Sequence, residues 1–284
     1  MTLAIRRFFS MLWRALRHFS DDHGPNHAAA VAYFSLLSLP PFLFLGGRFL
    51  ARLLPETVGT NAVLAALAPF LPREIATSLD TMGESVRGGA LVAVAVPVLL
   101  WVASHAFGSL EIAVNVAFGT TPQRRFWLSR LKAFAGLSGG VMLLGGTVVA
   151  GHIASWLDVY YERIGAPQLL SPRAHLVSMA ALLGVSFLVF TLFYKLLPRG
   201  KVAWSAAAKA AVVAVVLWEG ARRLFGGILA RSPTFGFFSG SLAGMVAFLA
   251  WVYVAVAVTI YGAEVAALMN GNRAAPTVRA PARR

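Results

Sequence analysis

Apolar residues along this chain fall into long runs separated by short polar segments, most of them basic. Six runs are each long enough for the roughly 20 residues a helix needs to cross a bilayer. They lie at about 28–50, 89–117, 133–157, 174–197, 203–230 and 242–269. The start of the chain follows another pattern. Ile5, Phe8, Phe9, Leu12, Trp13, Leu16 and Phe19 recur at helical spacing, with Arg6, Arg7, Arg14 and Arg17 on the other face. That spacing predicts an amphipathic helix lying in the headgroup plane. Arg14 and Arg17 break any continuous apolar stretch there, and no small-x-small cleavage site follows, which argues against a secretory leader.

The expected organisation is therefore an interfacial helix at 1–19, a six-helix transmembrane domain at 20–270 and a disordered basic tail at 271–284. Composition agrees with it. The chain is 58% hydrophobic and only 13% charged, and its mean hydropathy is +0.72. A water-soluble core needs far less apolar surface than that. Cysteine is absent, so disulfide frameworks, Cys-ligated zinc and thiol catalysis are excluded.

The distribution of charge predicts orientation. Segment 119–132 carries Arg124, Arg125, Arg130 and Lys132 without an acid, and segment 195–209 carries Lys195, Arg199, Lys201 and Lys209, again without one. The alternate segments 48–88 and 157–173 are balanced in sign. Basic loops stay on the cytoplasmic side. Both termini are expected in the cytoplasm of a multi-pass bacterial inner-membrane protein, with an even number of spans. The net charge of +14 then reflects those loops and their anionic lipid headgroups rather than nucleic acid.

The loop 51–88 has apolar residues at helical spacing broken by Pro55, Pro69 and Pro72. It reads as one or two short helices on the outer surface, either an interfacial cover or a partial lid. The run DDHGPNH, Asp21 to His27, gathers carboxylates and imidazoles, but its Gly24 and Pro25 make it a turn in which Asn26 is expected to cap the first span. No metal or cofactor site is expected. The motifs HExxH, GxSxG and a phosphate loop are missing, and the six histidines are scattered. Catalytic residues are not identified, and the chain is expected not to be an enzyme.

Ionisable residues at membrane depth are costly and therefore informative. Glu111 and Asn115 lie four apart on one face near the cytoplasmic end of the second span. They either bond the basic loop that follows or line an inward-facing cavity. Glu264 lies about 8 Å inside the cytoplasmic end of the last span. It is either an ion-coupling carboxylate or a partner of Lys195, Lys209 or Arg130. Glu219 can pair with Arg222 and Arg223 on one face of the fifth span. Alternatively the three charges form an outer mouth. Glu111, Asn115, Glu219, Arg222, Arg223 and Glu264 together make up the candidate polar pathway. Glycines such as Gly139, Gly140, Gly145 and Gly146 in the third span permit close helix approach.

Several segments, in this order, resemble the YihY/BrkB family of bacterial inner-membrane proteins. AAAVAYFSLLSLPP is similar to its opening signature. NVAFGTTPQRRFWLSRLKAF resembles its Asn-x-x-aromatic element and basic loop. FYKLLPRGKVAW, LWEGARRLFGGILA, GSLAGMVAFLAWVYV and YGAEV follow in similar order and spacing. The resemblance covers roughly residues 20–270 and implies an all-α fold of six transmembrane helices. Some members of that family were formerly labelled ribonuclease BN, a label that no residue constellation here supports. The family's Tyr-Gly-Ser-x-Tyr-Gly-Ser-Leu element stands here as Phe235-Gly236-Phe237-Phe238-Ser239-Gly240-Ser241-Leu242. Gly236, Gly240 and Ser241 remain as a candidate loop before the last span, without the tyrosine hydroxyls.

Two functions fit these expectations. The leading one is transport or export of a small solute or lipid-like molecule. The other is an envelope structural or assembly role without transport. Expected partners are membrane lipids, including anionic headgroups at the basic cytoplasmic loops, an unknown solute and a second copy of the chain.

Overall fold

The structure, a computed structural model, describes residues 2–53, 89–120, 171–231 and 241–272. Among the described residues are six helices, joined by turns and short connecting segments: α1 (Thr2–Asp21), α2 (Gly24–Leu53), α3 (Gly89–Ala117), α4 (Ser171–Leu196), α5 (Trp204–Arg231) and α6 (Ser241–Met269). The expected third span at 133–157, nearly all of the loop 51–88, Gly236 and Gly240 lie outside the described residues. Among the described residues, three stretches are long and apolar enough to cross a membrane, Val92–Ala117, Trp204–Ile228 and Gly244–Met269, and Leu183–Leu196 is a shorter apolar one.

The junction of α1 and α2 corrects one expectation. Asn26 does not cap the first span, because α2 already begins at Gly24. Pro25 explains the earlier start. It lacks an N–H, and the first helical turn has no carbonyl to receive one. The turn is tight, with Asp22 N–H donating to His18 O at 2.8 Å and His23 in the left-handed region at φ 56°. Any side chain at position 24 would collide with the Phe19 ring.

The helices contribute to two compact units. One comprises residues up to Gly24, Glu111–Glu219 and Val258 onward; the other comprises Pro25–Leu110 and Gly220–Ala257. In the first unit α6 is central. Ile260 and every residue from Gly262 to Ala267 are buried, so no face of those turns meets the surroundings. One face of α5, formed by Ala206, Ala207, Ala210, Ala211 and Ala214, is buried as well. Small side chains bring backbones close: a Cβ at Gly262 would lie 3.2 Å from that of Ala214, the kind of contact that drives helix association in lipid. On α4 the pattern splits. Ser186, Phe190 and Tyr194 are buried, whereas Leu188, Leu192 and Leu196 are exposed along the other side.

In the second unit, Phe34 of α2 and Trp101 of α3 flank His105, with ring centroids 5.2 and 4.7 Å away. The imidazole Nδ1 sits 2.8 Å from Trp101 O. Phe225 of α5 meets Trp251 of α6 at 5.3 Å. Val94, Val98, Leu100, Leu224, Ile228 and Val246 are exposed. In water so much apolar surface would drive aggregation. Facing acyl chains, it is what a span requires.

Candidate functional site

Helices α3 and α6 end in the same way. Thr120 N–H donates to Asn115 O at 2.9 Å and Gly119 N–H to Val116 O at 2.9 Å, with Gly119 at φ 67°. At the end of α6, Asn272 N–H donates to Ala267 O at 3.1 Å and Gly271 N–H to Leu268 O at 3.3 Å, with Gly271 at φ 75°. This pairing, with glycine in the left-handed position, is the Schellman cap that satisfies orphan carbonyls at a helix end. Each cap also positions one asparagine.

Those asparagines grip the segment Leu197–Ala203 that joins α4 to α5. Asn115 Oδ1 accepts the backbone N–H of Arg199 at 3.0 Å and the Thr120 hydroxyl at 3.0 Å. Its Nδ2 donates to Glu111 O at 2.8 Å, so the fully buried carboxamide has its main bonds made. Asn270 Oδ1 accepts the N–H of Ala203 at 2.8 Å, and its Nδ2 donates to Lys201 O at 3.0 Å. Arg199 adds an ion pair to Glu111 at 2.9 Å. Lys195 Nζ donates to Val202 O and stands 5.1 Å over the Trp204 ring. Leu197 and Val202 are buried and anchor the segment at both ends. The result is a short basic strap whose backbone is tied to the ends of two transmembrane helices.

Beneath the strap the packing is tight. Tyr194 is fully buried, donates its hydroxyl to Thr259 O at 3.1 Å and stacks on Phe190 at 5.9 Å. Its hydroxyl occupies the space a side chain at position 262 would need. Two residues further on, Glu264 is fully buried.

The expected pathway residues divide as follows. Glu111, Asn115, Glu264 and Glu219 belong to the first unit, and Arg222 and Arg223 to the second. Glu111 and Asn115 do share a face. Among the described residues their partner is the strap; the basic loop expected after α3 lies, from residue 121 on, outside the described residues. The strap's approach was not legible, because 84 residues separate Asn115 from Arg199. Asn270 and Tyr194 were also missed. A local hint was the glycine that follows Tyr261 in YGAEV. Glu219 is half-buried while Arg222 and Arg223 are exposed. Ser241 opens α6. Among the described residues, no three His, Asp or Glu side chains gather as metal ligands.

NVAFG and FYKLLPRGKVAW thus meet through Asn115 and Arg199, and YGAEV packs through Gly262 on Tyr194 of the second of these segments. A family model described as "Virulence factor BrkB" matches residues 15–284. The chain belongs to the BrkB family. Curated relatives agree. A UPF0761 membrane protein of Azotobacter vinelandii is 30% identical over 277 residues, covering 94% of this chain and 66% of its own length. The ribonuclease-like protein YfkH of Bacillus subtilis is 25% identical over 275 residues, 94% of this chain and 98% of YfkH. The UPF0761 membrane protein RSc1559 of Ralstonia nicotianae is 30% identical over 263 residues. The chain spans 57% of that relative's length. No solved structure matches the chain. This BrkB-family chain is a multi-pass protein of the bacterial inner (plasma) membrane.

Proposed function

We propose that this protein transports or exports a small solute or lipid-like molecule through a six-span bundle with both termini in the cytoplasm. The observation that carries the reading is Glu264, fully buried within the span Gly244–Met269. A carboxylate inside a span is expensive, and such groups mark ion and substrate routes. Glu264 is the residue we assign to ion coupling, with Glu111, Asn115 and Glu219 as polar positions of the same unit. Arg222 and Arg223 belong to the other unit, and we assign them to a membrane interface, where long stems carry charge out to water.

The orientation rests on the strap. Lys195, Arg199, Lys201 and Lys209 belong to one segment without an acid, which supports a cytoplasmic strap. Its fixed backbone suits a closure at the inner end of the pathway. We read the chain as a non-enzyme; the ribonuclease-like name belongs to YfkH.

The test is reconstitution in proteoliposomes with a panel of solutes and labelled lipids. Wild type is compared with Glu264→Gln and Glu219→Gln. Movement of at least one probe by wild type, lost in Glu264→Gln, is the expected result. A wild type no faster than empty liposomes for every probe sinks the reading.

A further inference from the structure

Helix α1 divides into three sectors. Leu12, Ala15 and Phe19 turn towards the protein: Ala15 is fully buried, Leu12 O accepts the Tyr261 hydroxyl at 3.0 Å, and Phe19 meets the Tyr261 ring edge-on at 6.5 Å. The apolar stripe read from the sequence is wider than this seat. Its remainder, Phe9, Trp13 and Leu16, is 65%, 58% and 46% exposed. At 100° per residue these three form a wedge beside the seat. The third sector is cationic, with Arg6, Arg7, Arg14 and Arg17 all exposed. The Arg17 guanidinium lies 5.7 Å over the Trp13 ring, so charge and wedge are contiguous.

We propose that this wedge and its arginines form a docking surface for the anionic phospholipid headgroups of the bilayer holding the protein. Between Thr2 and Ser20 the helix has four arginines and no acid, so its field matches a negative leaflet. Trp13 and Phe9 are the amphipathic and apolar groups that settle at the headgroup boundary. RNA would also satisfy the arginines, but it offers no apolar phase for Phe9 and Leu16. The lipid therefore accounts for both sectors, and RNA for one. Tyr261 seats the helix one residue before Gly262, which ties the docked surface to the centre of α6. The inference is independent of whether the protein transports anything.

The chain contains no cysteine, so single labels can be placed without background. Phe9→Cys, Trp13→Cys and Leu16→Cys are labelled with an environment-sensitive fluorophore in the full-length protein, with the fluorophore–cysteine adduct free in buffer for comparison. Nanodiscs are made of phosphatidylcholine alone or with phosphatidylglycerol. Shallow nitroxide lipids report contact with the bilayer and iodide reports contact with water. At positions 9, 13 and 16, phosphatidylglycerol should raise lipid quenching and lower iodide quenching. Arg6→Gln with Arg17→Gln should reduce the docked-to-undocked ratio about five-fold per arginine, roughly 25-fold for the pair. Both residues are exposed, and an unchanged Tm certifies the fold. Three results overturn the proposal: labels as open to iodide as the free adduct in buffer, labels shielded from lipid and iodide alike, or a response to added tRNA in phosphatidylcholine discs in place of one to phosphatidylglycerol.

Discussion

Asn115 on α3 holds the backbone N–H of Arg199 at 3.0 Å, while Glu111 one turn earlier holds the same residue's guanidinium at 2.9 Å. The two contacts differ in weight. Asn115 is fully buried, whereas the Arg199 side chain keeps 26% of its exposure. A buried polar group left without its partner costs about 1–3 kcal/mol. The ion pair is open to solvent mainly on the Arg199 side, the Glu111 side chain being 10% exposed, and Glu111→Gln keeps an oxygen that can still accept from Arg199. Asn115→Ala should therefore lower the Tm in detergent more than Glu111→Gln does. A double-mutant cycle of Glu111→Gln with Arg199→Ala should give a favourable coupling that shrinks in high salt. A Glu111→Gln loss larger than that of Asn115→Ala would reverse this ranking.

Gly262 is required by Tyr194. An added Cβ meets the tyrosine hydroxyl and ring of a residue with no free space around it. Overpacking of this kind costs about 1–3 kcal/mol. Gly262→Ala should lose that much stability in a chemical or thermal melt. Adding Tyr194→Phe should recover part of the loss, since removing the hydroxyl relieves the worst contact. Strict additivity of the two changes would show that the residues do not touch.

The glycine caps test a different cause. Nothing lies within 4 Å of a Cβ built at Gly119 or Gly271, so substitution there meets only backbone strain. Gly119→Ala and Gly271→Ala should each cost about 1 kcal/mol, the left-handed penalty for an L residue. Denaturant midpoints measure this. A neutral Gly119→Ala would mean that the α3 cap is not formed.

Tyr261→Phe retains the ring against Phe19 and removes the hydroxyl from Leu12 O. The loss should be about 0.5–1.5 kcal/mol, confined to α1. A spin label at position 16 should become more mobile while the global Tm barely moves. An unchanged spectrum would place the seat of α1 elsewhere.

The helices were legible because apolar runs and helix lengths are local properties. The run expected at 89–117 is α3 residue for residue, and α5 and α6 differ from their expected spans by one residue at most at each end. Asn26 misled because side-chain capping preference was weighed above the proline beside it. The Glu111–Asn115 face was legible from four-residue spacing. Its target was not, since two candidate basic segments have similar composition and spacing does not choose between them. The double grip of Asn115 and Asn270 joins residues far apart in the chain, and only the fold brings them to one strap.

The central claim is transport, and Glu264 tests it most directly. Purified protein is reconstituted at matched orientation and amount as wild type and Glu264→Gln, with a melt to certify both folds. The account predicts that wild type moves at least one solute or labelled lipid faster than empty liposomes and that Glu264→Gln falls to the empty-liposome rate. Glu264→Gln moving that probe at the wild-type rate would contradict it.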